Sequence, residues 1–199
     1  MTEYYYTSAP TSEHEERHFN HVFAGKVLRF QTDAGVFSKQ HIDPGSELLC
    51  SALPADLSGR VLDMGCGWGA MTILTLAKCP GCEITMADVN ERALDLAKEN
   101  VAANRMQAKA VLSDGFAAIE GEFETVITNP PIRAGKAVIY KMFEDAKVHL
   151  VSGGELYLVI RKQQGAPSAL KFLKELYGKA EVIERDGGYW IIRCVKANA

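Results

Sequence analysis

The segment Thr128-Asn129-Pro130-Pro131-Ile132 sets an amide side chain directly before two imino acids. Consecutive prolines remove two backbone donors and fix φ at both positions, so the loop is stiff and its carbonyls stay exposed. The Asn129 side-chain oxygen and the Pro130 carbonyl can then accept both hydrogens of one planar NH2 group. Such an amine is a poor nucleophile, because its lone pair is delocalised into the adjoining ring or carbonyl. Holding both hydrogens in a tetrahedral arrangement relocalises the pair and aims it at an electrophilic methyl group. Proximity and electrostatic fit of this kind lower a barrier by several kcal/mol. No basic residue is required, since the proton leaves after attack. Asn129, Pro130 and Pro131 are the candidate catalytic residues.

A second cluster describes what would deliver the methyl. Val61-Leu62-Asp63-Met64-Gly65-Cys66-Gly67-Trp68-Gly69 reads as a strand running into a glycine-rich turn that opens a helix, the place where open α/β sheets bind nucleotides. The glycines also satisfy the loose dinucleotide pattern and cannot choose a cofactor alone. Asp63 tips the balance, because a carboxylate there suits a cationic amino group and would repel a pyrophosphate. Asp88 stands 19 positions after Gly69, where a carboxylate accepts hydrogen bonds from two ribose hydroxyls. Ser113-Asp114-Gly115 follows a third strand, and the Asp114 carboxylate is placed for an adenine amino group. Cys66, Val89 and Asn129 complete the candidate cofactor set of Asp63, Gly65, Gly67, Asp88, Ser113 and Asp114. Together these residues describe an adenosine ligand with a cationic tail.

The elements that must position these residues alternate. Strands are expected at 60–64, 83–88, 108–112, 124–128 and 155–160. Helices are expected at 70–78, from Asn90 to about 104, at 136–150 and at 168–177. Gly153-Gly154 is expected as the turn that opens the strand at 155, and 180–185 with 189–195 as a closing hairpin. Tyr189-Trp190 is expected in the core or at the sheet edge rather than as a stacking platform. Alternation of this kind predicts an α/β fold, a mostly parallel sheet covered on both faces with an antiparallel last strand. Ahead of it, 18–23 and 26–31 suggest a hairpin about Gly25, and 44–53 a short helix. We expect residues 1–53 to form an extension packed on a catalytic domain at 54–199.

Composition excludes other classes. With 199 residues, 47% hydrophobic and 24% charged, the chain is neither disordered, collagenous nor coiled-coil. It has no run long enough for a membrane helix and no signal-like apolar segment near Met1, so a cytoplasmic location is expected. The five cysteines suit reduced thiols, and Cys79-Pro80-Gly81-Cys82 reads as a turn, with no metal inferred. His14-Glu15-Glu16-Arg17-His18 matches a zinc-protease pattern but lacks the apolar helical face that chemistry needs. Residues 1–130 carry 10 basic against 18 acidic side chains, and residues 131–199 carry 12 against 7. The basic third permits a face for phosphates built from Arg133, Lys136, Lys141, Lys147, Arg161, Lys162, Lys171 and Lys174.

Asp63-Met64-Gly65-Cys66-Gly67-Trp68-Gly69, Asp88 and Asn129-Pro130-Pro131 resemble the class I S-adenosylmethionine-dependent methyltransferases that modify exocyclic or amide nitrogens. Thr32 to Ser38, Asp43-Pro44-Gly45-Ser46 and Asn129 to Lys136 resemble, more narrowly, the RsmC-like branch of small-subunit ribosomal RNA guanine-N2 methyltransferases and their single-domain relatives. The resemblance implies a Rossmann-like sheet of order 3-2-1-4-5-7-6, S-adenosylmethionine over the strand ends, and Phe37 and Asp43 beside the active site. Phe37, Asp43, Ile132, Arg133 and Lys136 form the candidate substrate set, and ribosomal RNA or the small ribosomal subunit is the expected partner.

The chain departs from the family pattern twice. Longer members carry a second domain in front, for which this chain has no room, leaving RNA docking to the N-terminal extension, the basic face or self-association into a homo-oligomer. Ile132 also stands where many amino methyltransferases have an aromatic residue that stacks on the base, and Phe37 or an N-terminal tyrosine is the expected replacement. Adenine N6 and glutamine amides present the same NH2 geometry. A dinucleotide oxidoreductase leaves Asp63 and the Asn-Pro-Pro loop unexplained, and a non-catalytic RNA-binding module leaves the strand-end carboxylates without use.

Overall fold

The computed structural model describes residues 17–33 and 41–198. Phe37 and the first three residues of the zinc-like pattern lie outside them. His18 falls on a strand, exposed. That strand, β1 (Arg17–Phe23), pairs antiparallel with β2 (Lys26–Thr32). The turn residues Ala24 and Gly25 both have positive φ, the geometry that matches strand twist in a two-residue hairpin.

Helix α1 (Pro44–Ala52) begins with Asp43, whose carboxylate accepts from the Ser46 N–H at 2.9 Å. The alternating region follows as β3 (Gly59–Met64), α2 (Ala70–Lys78), β4 (Cys82–Asp88), α3 (Glu91–Ala103), β5 (Lys109–Leu112) and β6 (Phe123–Thr128). Then come α4 (Lys136–His149), β7 (Leu150–Arg161), α5 (Ala166–Tyr177), β8 (Lys179–Asp186) and β9 (Tyr189–Val195). The seven-stranded sheet has the order β5-β4-β3-β6-β7-β9-β8, the connectivity the family resemblance implies. β9 alone runs opposite to the other six strands.

Successive strand residues face opposite layers, as a period of two requires. Val61 joins a core with α1, α2, α3 and the hairpin, whereas Leu62 joins one with α4 and α5. The hairpin is bound into the first layer. Phe19 and Phe30 pack on Trp68 with ring centroids 6.0 and 5.4 Å away. Asn100 of α3 accepts from the Gln31 N–H at 2.7 Å and donates to its carbonyl at 2.8 Å.

The 153–154 glycines correct one expectation. They do not form a turn ahead of a strand; β7 runs through them from Leu150, with its register on β6 shifting between Phe123 and Thr125. Gly153 N–H donates to the Lys196 carbonyl at 3.0 Å, and Lys196 N–H to the Gly154 carbonyl at 2.9 Å. Backbone groups that find partners on a neighbouring segment have no need of a turn. The Cys79 and Cys82 thiols, between α2 and β4, donate to the Pro54 and Leu57 carbonyls. Among the described residues no helix is long and apolar enough to cross a membrane.

Candidate active site

The carboxyl ends of the parallel strands open on a cavity of about 1450 Å3. Its wall includes Asp63, Gly65, Cys66, Gly67, Asp88, Val89, Ser113 and Asp114 on one side, and Asn129, Pro130, Pro131, Ile132 and Arg133 at the end of β6. The sequence-derived residues therefore converge, with two exceptions. Phe37 lies outside the described residues. Lys136 stands off the cavity wall, its Nζ 4.9 Å from the centroid of the Tyr140 ring.

The glycine turn is held by the sheet it leaves. Gly65 and Cys66 N–H groups both donate to the Ala87 carbonyl, at 2.8 and 2.9 Å. Gly69 precedes α2 at φ +86°, and a Cβ there would stand 3.1 Å from the Ala97 Cβ, so glycine lets α2 and α3 meet. Asp88 is buried and binds its own chain: Oδ2 accepts from Gly67 N–H at 2.8 Å and Oδ1 from Asn90 N–H at 2.9 Å. It ties the glycine turn to the end of β4, on the wall of the cavity. Asn90 caps α3 by itself, accepting from the Ala93 N–H at 3.2 Å.

Asp63 is fully buried. Its Oδ2 accepts from the Thr72 hydroxyl at 2.7 Å, and its Oδ1 has no donor among the described residues. An orphaned buried carboxylate oxygen is costly. Burial, reinforced by the Asp88 charge and opposed by the Thr72 bond, pushes the Asp63 carboxyl from 3.8 up to about 7. A cationic amine fits that oxygen and would restore the charge. Burial, with the same two carboxylates, also pushes the Cys66 thiol well up, so it forms wall and not a nucleophile. Ser113 lies within its loop, its hydroxyl donating to the Gly115 carbonyl at 2.7 Å and accepting from Ala118 N–H at 3.0 Å. The Asp114 side chain is exposed at the rim.

The arrangement at Asn129 is the part that sequence reasoning missed. Its Nδ2 donates to Asp43 Oδ2 at 3.1 Å and to Ser46 Oγ at 2.9 Å. Both amide hydrogens are thereby engaged, which leaves Oδ1 as the group available to a ligand. Among the described residues no donor reaches Asn129 Oδ1 or the Pro130 carbonyl. Asp43 was expected here from the family resemblance; Ser46 was not. Its signal is the Asp43-Pro44-Gly45-Ser46 helix start, but only folding brings that turn to the Asn-Pro-Pro loop. Tyr189, expected in the core or at the edge, packs against the first core layer and also lines the cavity with Arg161.

Residues 27–193 match the family model described as "Methyltransferase small domain". The uncharacterized protein YbxB of Bacillus subtilis is 38% identical over 98% of this chain and 100% of its own length. Ribosomal RNA small subunit methyltransferase C of Haemophilus influenzae is 34% identical over 78% of this chain and 47% of its own. The chain thus spans about half the length of the curated ribosomal RNA methyltransferases it matches. The Thermus thermophilus 16S rRNA N2 G1207 methyltransferase RsmC, solved with S-adenosylmethionine and guanosine, superposes with a TM-score of 0.82 at 26% identity, covering 94% of this chain and 52% of that one. A Pyrococcus furiosus methyltransferase, at 22% identity and a TM-score of 0.67, shares the fold. The orphaned Asp63 oxygen fits the cationic tail of a sulfonium cofactor, and the family model with these relatives makes the chain a member of the methyltransferase small domain family, an S-adenosylmethionine-dependent enzyme of the RsmC-like branch.

Proposed function

We propose that this protein methylates the exocyclic N2 amino group of a guanine in small-subunit ribosomal RNA. The observation that carries the reading is the clamped Asn129 amide. Asp43 and Ser46 take its two hydrogens, so Oδ1 and the Pro130 carbonyl stand as a pair of acceptors for one NH2 group. S-adenosylmethionine, when bound, supplies an electrophilic methyl on a sulfonium centre.

Asn129 and Pro130 hold the two amine hydrogens and turn the nitrogen lone pair out of the plane of the base. Pro131 keeps that pair of acceptors from relaxing, because its ring fixes φ at −73° here. Asp63 anchors the cationic tail, Asp88 the ribose, and Ser113 and Asp114 border the adenine. No base has to act before attack, because the nitrogen gives up its proton only after it has become cationic.

Guanine in RNA is favoured over adenine N6 or a glutamine amide by two supports. Two relatives, matching over 78% and 94% of this chain, are named as methyltransferases of small-subunit ribosomal RNA. The exposed Arg133, beside the proline pair on the cavity wall, suits a phosphate flanking the target. Residues 54–199 serve as the catalytic domain in this reading, with 1–53 as its extension.

The test is transfer of labelled methyl from S-adenosylmethionine to small-subunit RNA, followed by mass mapping of the modified nucleotide. N2-methylguanine is expected. Asn129→Ala is expected to abolish transfer while cofactor affinity stays within about twofold. N6-methyladenine as the product, or turnover retained in the variant, would overturn the reading.

A further inference from the structure

A base turned out of RNA needs a flat surface to lie on, and Ile132 next to the proline pair supplies none. The sheet order shows where one is built. The cofactor carboxylates stand at the ends of β3, β4 and β5, and Asn129 follows β6. Beyond Asn129, away from those carboxylates, come the end of β7 and the start of β9, where Arg161 and Tyr189 pair across the strands. Both line the cavity. The Arg161 guanidinium carbon lies 4.4 Å from the centroid of the Tyr189 ring, and its Nη2 donates to the Tyr189 hydroxyl at 2.6 Å.

The tyrosine is itself fixed to the catalytic turn. A Cβ on Gly45 would stand 2.6 Å from the Tyr189 ring, so the ring rests on the backbone between Asp43 and Ser46, the two residues that hold Asn129. The guanidinium, a planar cation, thus sits over an aromatic ring and is exposed at the cavity wall. Its position is tied to the amine-binding acceptors through a single turn of α1.

We propose that Arg161, held over Tyr189, is the platform on which the target base stacks while its amino group sits at Asn129 and the Pro130 carbonyl. The inference rests on the base-methylating reading above and adds the surface that replaces the aromatic residue missing at position 132. Guanidinium planes stack on bases and aromatic rings, whereas a lysine ammonium is a point charge without a plane. The platform is therefore distinguishable from a simple phosphate contact, which lysine would satisfy.

The experiment measures kcat and KM for small-subunit RNA, and S-adenosylmethionine affinity by calorimetry, in the wild type, Arg161→Lys, Arg161→Ala and Tyr189→Phe. Base stacking predicts that both Arg161 variants raise the RNA KM at least about tenfold with cofactor affinity unchanged. Tyr189→Phe, which keeps the ring and loses only the hydroxyl, is expected to cost about threefold or less. Wild-type KM in Arg161→Lys would show that charge alone acts there and overturn the platform, as would an unaffected Arg161→Ala. A wild type that transfers no methyl to RNA would overturn the function proposed above and the platform with it. Transfer by the wild type with insensitive Arg161 variants would overturn the platform alone.

Discussion

Cofactor capture is expected to expel a proton from Asp63. In the cofactor-free protein burial pushes this carboxyl from 3.8 to about 7, with the Asp88 charge adding and Thr72 opposing. That rise corresponds to roughly 4 kcal/mol of penalty on the charged form. The penalty is absent below about pH 4, grows as the pH rises and is complete above about pH 7. This carboxylate accordingly destabilises the cofactor-free fold at neutral and alkaline pH. A cationic amine against the orphaned Oδ1 reverses the preference. Binding then releases close to one proton at pH 6, about half at pH 7 and about a tenth at pH 8, and affinity weakens about tenfold for each further pH unit below 6. Isothermal titration calorimetry with S-adenosylmethionine, run in two buffers of different ionisation enthalpy at each pH, counts the protons. Asp63→Asn is expected to remove the release, weaken binding about tenfold to a hundredfold and raise the melting temperature of the free protein at pH 8. Wild-type binding at pH 6 with no more release than in Asp63→Asn would refute the assignment of the tail to this carboxylate.

Asp88→Ala is expected to cut S-adenosylmethionine affinity by about a hundredfold and to speed hydrogen exchange at the Gly67 and Asn90 amides, which its carboxylate holds; calorimetry and exchange mass spectrometry measure the two effects separately. Ser46→Ala removes one of the two acceptors that orient the Asn129 amide, so kcat is expected to fall about tenfold with cofactor affinity unchanged. Steady-state kinetics beside a binding titration checks it. Arg133→Glu combined with Lys136→Glu is expected to raise the RNA KM and flatten its salt dependence. An Arg133 single variant is expected to carry most of that change, since Lys136 lies off the cavity wall over Tyr140.

The parts of the molecule legible in the sequence are those that local chemistry dictates. Apolar residues at a spacing of two or near 3.6, bounded by Gly, Pro and capping Asn, mark nearly every element. The strand ends at Asp63, Asp88 and Asn129 follow, because a strand, a turn and a helix start each have a short-range signature. Strand order came from the family resemblance, since pairing is a long-range property that periodicity does not encode. The doublet Gly153-Gly154 misleads for the same reason. Two glycines usually mark a turn, but here β6 on one side and Lys196 on the other draw their backbone into the sheet.

The chemistry offered by the chain was thus written into residue types: two prolines after an asparagine, and carboxylates after successive strands. What only the folded molecule decides is which groups those residues meet. Asn129 is oriented by Asp43 and Ser46, 86 and 83 positions away, and no local pattern reports contacts over that distance. Tyr189 looks like any aromatic residue of a terminal strand until β9 inserts between β7 and β8 and sets it against Gly45. Asp63 is an ordinary acid in the sequence, and burial beside Asp88 turns it into a group that titrates near neutrality. Desolvation and juxtaposition depend on the whole packed chain, whereas the stiffness of a loop with two consecutive prolines is set by those residues themselves.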